Sequence, residues 1–385
     1  MSGHRVTHVI TGLELGGAEI ILVRLLEDLA ATGERPDHRV ISLTSRGPLG
    51  DRVEAAGYPL EAMDLRRFPG PVGISRLART LKASQPDIVQ TWLLHSNVLA
   101  GSLARMRRIA PVCWSMHMTA AQAGTHGRAQ VALQSLESRL SHRVPNRIVS
   151  CSHSTYELMA ESGYELSGAS VVPNGFDTER LAPDPVAGAE LRSELGIPAD
   201  ALIVAHAARL HAMKDHANLL AAAALVSERV ENVHFVMCGT GVTDADPGLA
   251  AGAVPLGPRA HLLGPRGDVE RIFQAADVGA LSSASGEAMP LVIGEAMACG
   301  TPFVATDCGD AAELIGDTGV VVPVRDAPAL AAGLEQLLSE AADRRAERGE
   351  RARRRIAERY SMDGMIAGYE AVWDELSPSS SSRTA

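Results

Sequence analysis

A chain of 385 residues is too long for one ordinary hydrophobic core, and at roughly 150–200 residues per domain two domains are expected. Its formal net charge of −10 speaks against a protein that coats nucleic acid, and its 46% hydrophobic content supports large buried cores, packed on Ala, Leu and Val because aromatics are only 3%. No run of about 20 apolar residues occurs, the opening MSGHRVTHVI starts a strand rather than a signal peptide, and Cys113, Cys151, Cys238, Cys299 and Cys308 lack C-x-x-C or zinc-like spacing, so reduced thiols in a cytoplasmic protein are expected.

Strands and helices alternate from the start. THVIT reads as a strand and GGAEIILVRLLEDLAATG as a helix with apolar residues at helical spacing. HRVISL, DIVQTW, PVCWSMH, RIVSCS and SVVPN read as further strands, with GISRLARTLKA, SNVLAGSLARMRR, RAQVALQSLESRL and STYELMAESG as the helices between them. Short apolar strands separated by such helices predict a parallel sheet covered on both faces. PNGFDTERLAPDPVAG, rich in Pro, Gly and Asp, reads as an interdomain linker. The alternation then restarts with ALIVAHAARL, HANLLAAAALVSERV, VHFVMCGTG, HLLG, VGALSS, PFVATD and GVVVPV. Residues 328–360 read as one long charged helix whose basic run, Arg351 to Arg355, forms a solvated face. A last helix spans roughly Asp363 to Leu376, followed by a disordered Ser-rich tail. The fold class expected is α/β, with two doubly wound Rossmann-like domains facing a cleft. Their bounds are 1–176, 177–360 and a terminal segment 361–385 that packs back on the first domain.

The stretch from Ser282 to Ile315 carries the chemistry. Glu287 and Glu295 stand with seven residues between them, Pro290 sits at a helix start and Gly300 at its end. A loop that leads into a helix N-terminus suits a diphosphate, because free backbone N–H groups point outward there. A carboxylate beside it suits sugar hydroxyls, so the pattern points to a nucleotide-sugar. The chain has 34 Arg and only two Lys, Lys82 and Lys214. In that background Lys214, five residues after Arg209 and just past an apolar strand, marks a place where a compact ammonium is wanted. Lys82 lies in a helical pattern and reads as a surface residue. Arg105, Arg107 and Arg108 cluster at a helix end, where the helix dipole favours cations and where a membrane-facing patch is the sharper alternative.

These residues resemble the family 4 glycosyltransferases, which have the GT-B fold. EAMPLVIGEAMACGTPFVATD resembles the family's donor-site signature, LELGGAE its N-terminal glycine loop, VVPNGFD its crossover segment, ARLHAMKD its Arg-x4-Lys motif and LGPRGDVERIFQAADV its base-contacting segment. The resemblance implies that Arg209 and Lys214 hold the donor diphosphate and stabilise its growing charge as it leaves. It implies that Glu295 binds the ribose diol, that Glu287 meets the transferred sugar's hydroxyls, and that the backbone of Met289, Pro290, Leu291 and Val292 faces sugar and phosphate. Gly16 and Gly17 would let the first loop approach the substrates closely. Arg266 and its neighbours would meet the base edge through the backbone, and His117 would sit beside the sugar as catalytic or positioning residue. His95 reads as a helix N-terminal turn residue, with a residue that reaches the acceptor as the alternative.

By this resemblance the reaction is metal-independent transfer with retention of configuration, from a nucleoside-diphosphate sugar to a glycan, lipid-linked or small-molecule acceptor. No cofactor and no nucleic acid are expected, and the protein would work in the cytoplasm, with peripheral contact at the inner face of the membrane allowed. Two departures stand out: Ala288 replaces a common Gly, and Gly294 lies inside a helix, where Gly costs up to about 1 kcal/mol relative to Ala. A sugar-nucleotide 2-epimerase and a non-catalytic nucleotide-sugar-binding partner are the rivals. The Lys-Thr-Gly-Gly loop of starch and glycogen synthases is absent.

Overall fold

The computed structural model describes residues 3–32, 37–65, 69–117 and 128–377. They form two units: Met1–Gly175 together with Met362–Ala385, and Phe176–Ser361. The first unit holds a seven-stranded parallel sheet of β1 (Val6–Ile10), β2 (His38–Ser42), β3 (Leu60–Ala62), β4 (Ile88–Trp92), β5 (Val112–Met116), β6 (Arg147–Ser150) and β7 (Ala169–Val171). Its spatial order is β3-β2-β1-β4-β5-β6-β7. Every residue of β1, β4 and β5 is buried, as expected for strands with helices on both faces. The register sets Val9 against Ile41 on one side and Thr91 on the other.

The second unit repeats the plan with β8 (Leu202–Ala207), β9 (Val233–Cys238), β10 (Ala260–Leu262), β11 (Val278–Leu281), β12 (Phe303–Thr306) and β13 (Val320–Val322). Its order is β10-β9-β8-β11-β12-β13, again parallel. In each sheet the strand order reverses once, between β1 and β4 and between β8 and β11. Beyond the carboxyl ends of those strand pairs the connecting loops diverge and leave a crevice, the usual ligand position of doubly wound folds.

Helix Met362–Leu376 belongs to the first unit, where its aromatic face is buried. Tyr369 meets the Ser115 hydroxyl at 2.7 Å, and Trp373 donates its indole N–H to Gln90 Oε1 at 3.1 Å while lying edge-on to His8 and His38.

Several expectations need correction. Strand β3 has only three residues, one of them an outward acid, at a sheet edge, so it carries no alternating or apolar signal. The expected 328–360 helix is two, Ala327–Leu338 and Ala342–Arg359. The break is held by Arg345, which is 9% exposed, donates to the Glu340 carbonyl at 2.7 Å and reaches Asp277 at 3.0 Å. The basic run is not simply solvated: Arg353 donates to the carbonyls of Leu181, Thr178 and Ala298, and Arg355 to those of Leu314 and Glu313. The proposed linker is partly core, since Phe176 is buried and Asp184 caps a helix, Pro185–Glu194, with bonds to the N–H groups of Val186 and Ala187. None of the five cysteines is in a disulfide, and four are buried.

Candidate functional site

In the second unit the loop after β8 carries Arg209 and then a short 3-10 turn, Ala212–Lys214. Asp215 follows in the left-handed region with φ 46° and caps helix His216–Ser227 through the N–H of Asn218. The loop after β11 is laced to the loop after β8: Ala284 N–H donates to the Met213 carbonyl at 2.8 Å, and the Ser282 hydroxyl to the Lys214 carbonyl at 2.8 Å. The result is a direct ion pair between Lys214 and Glu287, with side chains 20% and 9% exposed. Ser283 donates to the same carboxylate oxygen at 2.6 Å. Two residues 73 apart in sequence therefore form one half-buried dipole at the switch point of this sheet. Arg209, by contrast, is exposed on the same loop.

Backbone geometry fixes the acid loop. Gly286 has φ +82°, and a Cβ there would overlap the Met213 thioether. Gly309 has φ +60°, and a Cβ would lie 2.5 Å from the Ala288 carbonyl oxygen and 2.6 Å from that of Glu287. Asp310 N–H donates to the Ala288 carbonyl at 2.8 Å. Ala288 itself is not among the positive-φ residues, so its methyl costs no backbone strain. Helix Leu291–Ala298 starts at Pro290, which caps it with no side-chain hydrogen bond, and Met289 is buried beneath it. Ile293 N–H donates to the Pro290 carbonyl at 3.2 Å, so the N–H groups that this helix start offers to an anion or to solvent are those of Leu291 and Val292. Leu291 and Val292 form its first turn, and Glu295 follows one turn on, half-buried. Gly300, with φ +80°, ends it as expected for a C-terminal glycine.

The Arg266 side chain is already occupied. It makes a two-pronged pair with Asp268 at 2.8 and 2.7 Å and reaches Glu194 at 3.1 Å. The pairing raises the Arg266 pKa above its usual range and draws Asp268 down to about 2. Only its backbone is left for a base. Beneath Lys214 lies a feature the sequence reading missed: His206, near the end of β8, and His216 stand ring against ring at 4.8 Å. Burial lowers both pKa values, with the nearby Lys214 charge adding to the effect, so both imidazoles are neutral at physiological pH.

The first unit carries a cavity of about 380 Å³ at its own switch point. Thr11 and Gly12 from the end of β1 form one wall, with Glu14 and Glu19 beyond. Leu93, Leu94, His95 and Asn97, just past β4, form another, and Ser115 to His117 from the end of β5 a third. Two backbone irregularities stand at this rim. Leu93 has φ 72° and ψ 155°, a region that only glycine enters without strain, and residues Asn97–Gly101 form a π-helical turn. The floor is Glu137, 1% exposed, which accepts from Asn97 Nδ2 at 2.8 Å and from the Tyr164 hydroxyl at 2.6 Å. Burial raises its pKa to about 7 despite those two donors. His117 stacks on Trp92 with ring centroids 5.5 Å apart. Part of the residue reaches the surface, but Nε2 is out of solvent without a partner among the described residues, and burial takes the ring's pKa down to about 4. Gly16 is the extended N-cap residue of helix Gly17–Ala31, so Gly16 and Gly17 turn the chain into that helix.

The site residues therefore fall into two groups. Lys214, Glu287, Ser283 and the helix start at Pro290 come together in the second unit, and His117 and His95 line the cavity of the first. Glu137 and Asn97 were missed, although Glu137 interrupts the apolar spacing Leu133, Leu136, Leu140 of its helix, which is a readable signal. No helix of the described residues is long and apolar enough to cross a membrane.

Residues 15–180 match the family described as Glycosyltransferase Family 4, and residues 189–355 that described as Glycosyl transferases group 1. The Bacillus subtilis protein EpsF is 27% identical over 321 residues, 80% of each chain. The D-inositol 3-phosphate glycosyltransferase of Xylanimonas cellulosilytica is 28% identical over 400 residues, 94% of this chain and 92% of that one. Among solved structures, Anabaena HepE in complex with UDP and glucose superposes with a TM-score of 0.83 at 20% identity, covering 97% of this chain and all of that one.

Proposed function

Because the chain belongs to the family 4 glycosyltransferases and has their GT-B pair of Rossmann-like units, we propose that it transfers a hexosyl group with retention of configuration from a nucleoside-diphosphate sugar. The receiving group is a hydroxyl of a glycan, lipid-linked or small-molecule acceptor, and the setting is cell-envelope polysaccharide synthesis in the cytoplasm. The observation that carries this reading is the Lys214–Glu287 pair beside the open N-terminus of helix Leu291–Ala298. The two halves of the pair suit two parts of one donor.

The donor diphosphate would lie against Arg209, Lys214 and the helix N–H groups. As the sugar–phosphate bond breaks, charge grows on the departing oxygen, and cations already in position stabilise it without reorganising. Glu287, held by Lys214 and Ser283, keeps a lone pair for the sugar's hydroxyls. Glu295 is proposed for the ribose diol and the Arg266 segment backbone for the base. The leaving phosphate can itself take the acceptor's proton on the same face, so no protein base is required, and a His117 ring neutral at pH 7 suits a positioning role. Two cations serve where a metal otherwise would, so turnover should persist in a chelator. Proposed membrane contact rests on Arg79, Lys82, Arg107 and Arg108, which line a separate cavity beside the exposed Met106.

The test is proton NMR of the protein with UDP-, GDP-, ADP- and dTDP-sugars. Slow release of one nucleoside diphosphate is expected, falling by about 100- to 1000-fold in Lys214→Ala with the fold intact. A new epimer signal would move the reading to the 2-epimerase, and full activity of Lys214→Ala would sink the donor-site assignment.

A further inference from the structure

Strand alternation puts Val204 and His206 on the same face of β8. Val204 packs there with Leu219, Leu220 and Ala223 of helix His216–Ser227. On that helix His216 stands one turn before Leu219 and two before Ala223, so it begins the same buried stripe. In the first layer of this strand–helix contact an apolar pair would be ordinary. The chain instead sets two imidazoles there, edge to face, 4.8 Å apart and inclined at 76°. They are 1% and 4% exposed, and no ring nitrogen of either closes a full hydrogen bond among the described residues. Buried polar atoms without partners are costly, so packing accounts for two rings but not for their nitrogens.

The rings stand at the two ends of one loop, residues 207–215, which carries Arg209 and Lys214. Contact between them closes that loop at its base. Arg209 is fastened on both sides by the chain beyond β9: Ala208 N–H donates to the Cys238 carbonyl at 2.9 Å, and Leu210 N–H to the Thr240 carbonyl at 2.8 Å. The Ala208 carbonyl is crowded by Gly239, where a Cβ would lie 2.1 Å from it, and it stands to the His216 ring as an acceptor. The charges about the pair are Lys214 beside both rings, and Asp215 and Asp246 beside His216. Burial together with Lys214 outweighs the two acids, so neither ring sets a second buried cation against Lys214.

We infer that His206 and His216 are positioning residues for the donor diphosphate, an uncharged ring pair that closes the base of the 207–215 loop and holds the Lys214 ammonium at Glu287 without touching the donor. His206 supplies a flat face, and His216 supplies both a face and a nitrogen toward the Ala208 carbonyl. The inference rests on the reading of Lys214 as a diphosphate-binding cation.

The experiment uses the full chain labelled with carbon-13 at lysine Cε. With only two lysines, the spectrum holds Lys214 and, as internal control, the exposed Lys82. UDP affinity is measured on the same samples by calorimetry. In His206→Ala and His216→Ala the Lys214 signal should move toward that of Lys82, the Lys82 signal should stay in place, and UDP should bind about tenfold more weakly, because a cation no longer held must be ordered on binding. His206→Phe, which keeps the flat face, should restore both readouts, and His216→Phe, which loses the nitrogen, should not. Should an alanine variant unfold, His206→Gln, which keeps the bulk but cannot present a ring face, takes its place and should show the same loss. Folded variants without either ring that keep the wild-type Lys214 signal and UDP affinity would overturn the inference. So would a His206→Phe variant as weak as His206→Ala. A wild-type Lys214 signal that ignores UDP would count against the donor-site reading alone, since the signal without UDP still judges the pair.

Discussion

Glu137 shows how a single buried acid ties stability to pH. Its two oxygens accept from Asn97 and Tyr164, yet burial outweighs those bonds and raises the carboxyl from 4.5 to about 7. Below pH 4.5 both folded and unfolded chains hold the proton, and nothing is lost. Between 4.5 and 7 the unfolded chain releases it while the folded one keeps it, so stability falls as pH rises. Above 7 both are ionised and the loss is complete, on the order of 3 kcal/mol. Glu137→Gln, which carries no ionisable group, should flatten the stability profile over that window by an amount of this order. Urea unfolding of both proteins at pH 5 and pH 7.5 checks it, and parallel profiles would show that Glu137 is not the titrating group. His117 works in the opposite sense: burial lowers its pKa to about 4, so its contribution rises with pH from 4 toward 6.5. Both groups show why residue chemistry was only half legible in the sequence. Lys214 stood out because lysine is rare here, but the depth of burial that sets a pKa is a property of the fold.

At the scale of elements, helix Leu291–Ala298 is positioned from its C-terminal end and its flank. Its C-terminal carbonyl at Ala298 is met by Arg353, whose guanidinium also bonds the carbonyls of Thr178 and Leu181, and its flank is set by Gly294. Helix propensity alone says that Gly294→Ala should stabilise by up to about 1 kcal/mol. Packing says the reverse, because a Cβ there would overlap the Phe176 ring, which is 1% exposed. Overpacking a core costs roughly 1–3 kcal/mol and has no room to relax against a buried ring, so it wins. Gly294→Ala should lower thermal stability and weaken nucleotide binding together, as measured by calorimetry and by titration with UDP. A more stable variant would refute the packing argument. The glycine was visible in the sequence as an oddity inside a helix, but the ring it accommodates lies 118 positions earlier (294 − 176) and could not be read. The same limit hid β3 and the strained Leu93. A three-residue edge strand has too few positions to show a pattern, and the strained position is itself a leucine, Leu93, with no glycine there to announce a positive φ.

The whole molecule is two sheets of one plan joined by a chain that crosses twice, after Gly175 and after Ser361. This plan was the most legible feature of the sequence, because parallel strands buried on both faces read as short apolar runs whatever surrounds them. Both crossings are anchored side by side in the second unit: Phe176 N–H donates to the Tyr360 carbonyl at 2.8 Å and Phe176 bridges Ser361. The second unit is thus one continuous segment with its ends tied together and its own cores, one gathering Phe176, Ile293 and Tyr360, the other Val204, Leu219 and Leu334. The first unit lacks that independence, since its sheet leans on Tyr369 and Trp373 from the far end of the chain, each 1% exposed. Losing buried aromatics of this size costs roughly 3–5 kcal/mol apiece, a large part of a domain's whole stability. The segment 176–361 made alone should therefore fold cooperatively and bind UDP, whereas a chain ending at Ser361 should lose protection in β1, β4 and β5 while keeping it in β8, β11 and β12. Hydrogen exchange read by mass spectrometry on the two truncated chains decides this. Loss of protection throughout the isolated segment would mean that the second unit draws its stability from the first, and that the donor site cannot be treated as a property of one half of the chain.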